Sequence, residues 1–138
     1  MPKFSETSKR RLASCHSDLQ KLFNTVIQFY DCTIVCGYRG PTEQNLAFKE
    51  GKSKLQFPDS KHNRSPSLAV DAAPYEKYGI DWTREQGYFF AGFVLGIAKI
   101  LKKHGVIDSK IRLGADWDSD HDINDQTFLD LPHFEIVR

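Results

Sequence analysis

The sequence lacks an excess of charge of either sign: 19 Lys and Arg stand against 18 Asp and Glu over 138 residues. Without a strong overall field, bulk attraction to nucleic acid or to an anionic membrane is excluded as the basis of recognition, and any partner must be recognised locally. A membrane-spanning run is also missing. The most apolar stretch, Tyr88 to Ala98, is broken by Lys99 and falls well short of the ~20 residues a hydrocarbon core demands, so it is expected to form a buried helix. The opening Met1-Pro2-Lys3-Phe4-Ser5-Glu6 is polar and has neither the apolar stretch nor the cleavage site of a signal peptide, which leads us to expect a protein made in, and initially kept in, the cytoplasm. Cysteine is sparse. Cys15, Cys32 and Cys36 cannot all pair within one chain, and a reducing cytosol keeps them as thiols, expected to serve as small buried hydrophobes. Repeats and linkers are absent, so a single domain over residues 1–138 is expected, large enough to bury roughly two-thirds of its unfolded surface.

What is present has local order. Ser17-Asp18-Leu19-Gln20 resembles a capping box, and Leu19, Leu22, Phe23, Val26 and Ile27 follow at helical spacing, predicting a helix over about 17–29. Cys32 to Cys36 is β-branched and stops at Gly37, which predicts a strand. Its two cysteines share a face but lie roughly 13 Å apart along it, too far for a disulfide or a common metal. Residues 51–66 show no period and are expected to form a loop. Ser67 to Ala73 reads as a short strand stopped by Pro74, with Ala69, Asp71 and Ala73 on one face. A second helix is predicted over about 84–103, capped by Gly105, then a strand over Lys110–Gly114, an acidic loop, and a last strand over His133–Val137. Helix, strand, strand, helix, strand, strand indicates an α+β fold with helices on a mainly antiparallel sheet.

Three side chains able to bind metal fall in or beside strands: His62, Asp71 and His133. Two imidazoles and a carboxylate meet the ligand count of a hydrolytic zinc, which keeps three protein ligands and leaves the fourth position to water. Asp130, three residues before His133, is placed to act as a general base without being a ligand. Arg39, in Gly37-Tyr38-Arg39-Gly40, is a candidate to stabilise an oxyanion or to fix a substrate carboxylate. Taken singly, each has an ordinary structural reading: a solvated loop histidine, a turn or cap aspartate, a surface ion pair. The combination carries the weight.

Ser60-Lys61-His62, Ala69-Val70-Asp71-Ala72-Ala73-Pro74, Leu113-Gly114-Ala115-Asp116-Trp117 and Asp130-Leu131-Pro132-His133-Phe134-Glu135 together resemble the motif series of the L-alanyl-D-glutamate and D-alanyl-D-alanine zinc peptidases. Gly37-Tyr38-Arg39 with Gln44 resembles that family's upstream arginine segment. The resemblance runs over about residues 17–138 and implies a hedgehog-like α+β fold, zinc held by His62, Asp71 and His133, Asp130 as catalytic base and Arg39 near the substrate. The substrate it implies is the stem peptide of peptidoglycan, cut by a phage endolysin of the L-alanyl-D-glutamate endopeptidase type. Such an enzyme is expected to act as a monomer, without nucleic acid or stable membrane insertion, reaching the wall from the host cytoplasm once the membrane is breached. The alternatives are a D-alanyl-D-alanine carboxypeptidase and a non-catalytic wall-binding module stabilised by zinc. One departure stands out: eight residues separate His62 from Asp71, two more than the family's usual pattern. The surplus falls in Asn63-Arg64-Ser65-Pro66-Ser67, a composition that loops out readily.

Asp116, Asp118, Asp120, Asp122 and Asp125 alternate and form a candidate site for a hard cation such as Ca2+, although His121 and Thr127 occupy the positions where a calcium hand needs Gly and Glu. His121 is a spare ligand by type. Lys9-Arg10-Arg11 is a short basic run expected to face solvent, and Trp82 and Trp117 are candidates to line a peptide groove or to pack on the sheet.

Overall fold

Leu19, Leu22, Phe23 and Val26 are all fully buried, so the helical spacing in the sequence marks a face that packs. In the computed structural model, which describes residues 2–114 and 130–137, the chain forms helices α1 (Glu6–Ala13) and α2 (Ser17–Val26), strand β1 (Cys32–Cys36), helix α3 (Pro41–Lys49), a 3₁₀ turn over Lys61–Asn63, strands β2 (Ala69–Glu76) and β3 (Gly79–Ile80), helix α4 (Arg84–Lys103), and strands β4 (Lys110–Gly114) and β5 (Asp130–Val137). The strands run in the order β1-β2-β5-β4, every pairing antiparallel, with β3 hairpinned onto the end of β2. This is the expected α+β class.

Strand alternation divides the sheet into two chemistries. Val70, Ala72, Ile111, Leu113, Phe134 and Ile136 belong to the core, where α4 packs on β2, β4 and β5 and α2 packs on α4. Phe134 stands at the centre, meeting the Phe23 ring edge-on at 5.6 Å and the Phe90 ring at 6.3 Å. The intervening residues Asp71, Arg112, His133 and Glu135 share the other face. A one-residue slip of β5 would exchange His133 for Phe134, so the burial of Phe134 fixes the register that presents His133.

The structure departs from expectation at several points. Helix α2 stops at Val26 because Gln28 and Phe29 turn back to Thr25 and Val26 carbonyls, leaving Phe29 exposed. Strand β2 does not end at Pro74. Tyr75 N–H turns toward Asp31 of the β1 side, whereas Pro74's carbonyl accepts from Asp81 on the other side; the missing proline donor faces that second side, beyond Asp71, where the pairing with β5 ends. The Tyr88–Ala98 stretch is not buried all round: Phe90, Ala91, Val94 and Ala98 are buried, but Phe89 is 66% exposed, so α4 is amphipathic. Helices α1 and α3 were not foreseen because neither carries an apolar stripe; α3 buries only Gln44. Strand β5 begins at Asp130, not His133. Cys15 and Cys32 are buried thiols, whose pKa values burial pushes up to about 12.

Candidate metal centre and groove

Asp71 sits mid-sheet, opposite Cys36 of β1 and His133 of β5. Between Ile34 and Cys36 the register of β1 shifts, an irregularity beside the site of the kind a bulge produces. His62 arrives from the 3₁₀ turn, whose capping box pairs Ser60 N–H with Asn63 Oδ1 and His62 N–H with Ser60 Oγ. The surplus residues between His62 and Asp71 do loop out: Arg64, Ser65 and Pro66 are exposed, and Ser67 is anchored by backbone hydrogen bonds to Ser14 and His16. Both candidate ligands keep their places.

The three predicted ligands converge. His62 Nε2, His133 Nδ1 and Asp71 Oδ1 lie 3.2 Å from one another in each pairing, and among the described residues they form a group able to hold a metal ion. Zinc–ligand distances of about 2.0–2.1 Å imply a tetrahedral edge of roughly 3.3 Å, which this triangle matches. The ring tautomers support the same conclusion. His62 Nδ1 is 2.8 Å from the Gly37 carbonyl, an acceptor, so Nδ1 carries the hydrogen and a neutral ring aims its Nε2 lone pair into the site. His133 Nε2 is 2.7 Å from Glu135 Oε1, so Nδ1 is likewise left to face inward. Two lone pairs and a carboxylate oxygen aimed at one point need a cation between them.

Electrostatics express that need. Burial would lower the pKa of His62, yet the charge and hydrogen bond of Asp71 push it up to about 10. Burial opposes ionisation of Asp71 too, and the two histidines hold its pKa well below the ordinary range. A proton is the substitute when no ion is held. Glu135, buried in the sheet, is kept ionised against the cost of burial by His133, Arg112 and Lys61, its pKa lowered to about 2; Arg112 Nη2 lies 2.5 Å and Lys61 Nζ 3.1 Å from its Oε2.

Asp130 places Oδ2 3.8 Å from His133 Nδ1, near the candidate ligands yet outside hydrogen-bond range. Burial, then the charge of Asp71, raise its pKa to about 6, the range of a carboxylate that exchanges protons near neutrality. Its position depends on Gly114, where a Cβ would fall 2.2 Å from the Asp130 carbonyl oxygen. Arg39 directs Nη2 to Asp71 Oδ2 at 3.5 Å and Nη1 to Gln44 Oε1 at 3.1 Å.

These residues border a groove of about 930 Å³ running from Asp130 and His133 to α3 and the turn at Lys52–Leu55. Glu135, Lys61 and Arg112 were not foreseen as site residues. A signal existed for Glu135, two residues beyond His133 and hence on its face of the strand. Trp82, 61% exposed, borders a separate small cavity beside Leu131 and Pro132, away from the groove. Lys9 and Arg10 face solvent on α1. The acidic stretch, His121 and Trp117 lie outside the described residues.

The model of a family described as phage L-alanyl-D-glutamate peptidase matches residues 1–137. The L-alanyl-D-glutamate peptidase of Escherichia phage T5 is 31% identical over 141 aligned positions, covering 98% of each chain. In fold, the chain is similar to the crystal structure of Serratia marcescens L-Ala D-Glu endopeptidase ChiX, with a TM-score of 0.72 at 16% identity over 99% of this chain and 91% of that one.

Proposed function

The chain belongs to the phage L-alanyl-D-glutamate peptidase family, and from that premise we propose that it is a zinc endopeptidase that hydrolyses the L-alanyl-D-glutamate bond of the peptidoglycan stem peptide. The observation that carries the zinc assignment is the triangle of His62, Asp71 and His133, whose two ring tautomers are set by outer partners so that three lone pairs converge. Two imidazoles and one carboxylate suit zinc among the divalent ions.

Zinc held there supplies Lewis acidity, polarising a carbonyl and making a water easier to deprotonate. The chain's own residues do the rest. Asp130 accepts the proton of the attacking water, and a pKa near 6 lets the same carboxyl return it to the departing amine. Arg39, held between Asp71 and Gln44, offers its guanidinium to negative charge on the substrate or on the carbonyl oxygen under attack. Strand β5 fixes Asp130 and the contacts with Asp71 and Gln44 fix Arg39, which is the preorganisation such chemistry needs, and the open groove seats an extended peptide.

Mass analysis of fragments released from Gram-negative sacculi tests the assignment. New L-alanine and D-glutamate ends that vanish with a chelator are expected; loss of terminal D-alanine would identify a carboxypeptidase, and zinc binding with no cleavage would identify a wall-binding module.

A further inference from the structure

Gln44 is the one buried side chain of α3, with no exposed surface, on a helix whose other residues face solvent or the groove. A buried amide on a helix that buries no other side chain calls for a reason, since an amide buried without partners is destabilising. Its partners account for all four of its hydrogen-bonding sites. Oε1 accepts from Arg39 Nη1 at 3.1 Å and from Asn63 Nδ2 at 3.2 Å. Nε2 donates to Ser53 Oγ at 2.9 Å and to the Leu55 carbonyl at 2.6 Å. The amide cannot be turned round: guanidinium is only a donor and the Leu55 carbonyl only an acceptor.

The four partners fall into two groups, one beside the candidate ligands and one on the groove wall. Arg39 reaches Asp71 with its other nitrogen, and Asn63 adjoins the ligand His62 while also donating to the Arg39 carbonyl at 2.9 Å. Ser53 and Leu55 form the outer wall, where Leu55 is exposed to the groove. We propose that Gln44 is a positioning residue: its oxygen sets the Arg39 guanidinium beside Asp71, and its nitrogen pins the Ser53–Leu55 wall that the substrate chain lies against. One side chain thereby holds both the charge and the wall at fixed separation. The inference rests on the reading of this groove as the substrate site.

The two ends of the amide separate by substitution. Gln44→Leu removes both. Gln44→Glu keeps an oxygen for Arg39 and Asn63 but sets a second oxygen against the Leu55 carbonyl, releasing the wall alone. The experiment measures kcat, KM and zinc content for the zinc-loaded full chain on a soluble disaccharide-peptide fragment of peptidoglycan, comparing wild type, Gln44→Leu, Gln44→Glu, Arg39→Ala and the Arg39→Ala/Gln44→Leu double variant. Expected are zinc retained throughout, kcat down about tenfold or more in Gln44→Leu, and a double variant whose kcat lies within about twofold of that of Arg39→Ala, because the oxygen acts through Arg39, while its KM is raised by the released wall. Gln44→Glu is expected to raise KM several-fold with kcat near wild type. Losses in kcat that multiply in the double variant, or wild-type turnover in Gln44→Leu, would overturn the proposal. Should Gln44→Leu not fold, Gln44→Glu decides alone: a raised KM with kcat kept supports the proposal, and any other pattern contradicts it. A wild-type protein that leaves the fragment uncut would instead refute the functional reading, and an Arg39→Ala protein as active as wild type would refute the role of Arg39.

Discussion

Glu135 Oε1 lies 2.7 Å from His133 Nε2, and this contact leaves Nδ1 as the ring nitrogen that faces His62 and Asp71. The carboxylate is itself held by Arg112 and Lys61, and the Lys61 ammonium also reaches the Ile136 carbonyl. A chain of charges thus runs from the sheet face into the site. Glu135→Gln should keep the fold and weaken metal binding about 10- to 100-fold, the range seen when an outer partner of a ligating histidine is lost. A competition titration against a chromogenic chelator measures this directly, and unchanged affinity would show that the ring is oriented without the carboxylate. Glu135→Ala removes the carboxylate that half-buried Arg112 and Lys61 share and should destabilise the protein by about 1–3 kcal/mol.

Removing the metal should lower the melting temperature. The triangle of donors costs free energy unless a cation or protons separate them, and an ion that binds only the folded chain stabilises it by mass action, about 4 kcal/mol at a thousandfold excess over Kd. Calorimetry with and without chelator, followed by zinc re-addition, should show a reversible shift. Identical melting curves would mean that the three donors hold no ion.

Asp18, buried at the start of α2, accepts from the Ser109 hydroxyl at 2.7 Å and from the Ser109 and Asp108 backbone N–H groups at 3.0 and 3.2 Å. Burial alone would raise its pKa, but these donors lower it below the ordinary value. The folded pKa lies below the unfolded one, so the contribution is complete above the unfolded value of about 3.9 and is lost as pH falls through the folded value. Asp18→Asn should cost about 1–2 kcal/mol at pH 7 and progressively less below about pH 4. Urea midpoints at pH 7 and pH 3 measure the gap; a gap constant with pH would rule out ionisation as its source.

Gly114→Ala should displace Asp130. The added Cβ would meet the Asp130 backbone oxygen at 2.2 Å, which yields only if the strand pair moves, at about 1–3 kcal/mol. Activity should fall at least tenfold, given the sensitivity of catalysis to shifts of about 1 Å. Gly96 in α4 provides the contrast, with open space around its Cβ position; Gly96→Ala should raise stability by about 0.5–1 kcal/mol without touching activity.

The sequence made legible those parts of the molecule where a side-chain pattern reports its own environment. The α4 boundaries and strands β1 and β4 follow from periodicity and end signals, and the candidate ligands were visible because histidines and an aspartate stood in or beside apolar strands. Helix α3 was not legible, since its single buried residue is polar and its remaining face borders a groove. The continuation of β2 through Pro74 was hidden because a proline's cost depends on which neighbour its nitrogen would have faced, a fact of topology. Arg112 acquires its meaning from the β4-β5 register that places it opposite Glu135, and Lys61 from the 3₁₀ turn that brings its ammonium to the same carboxylate.

In the proposed mechanism Asp130 moves the proton beside a metal it does not bind. The measurement that addresses it most directly combines zinc content by elemental analysis with the rate of fragment release from sacculi for the wild type and Asp130→Asn. Zinc retained at the wild-type level with cleavage slowed about 10²- to 10⁴-fold is the predicted result; turnover unchanged in the variant would contradict it.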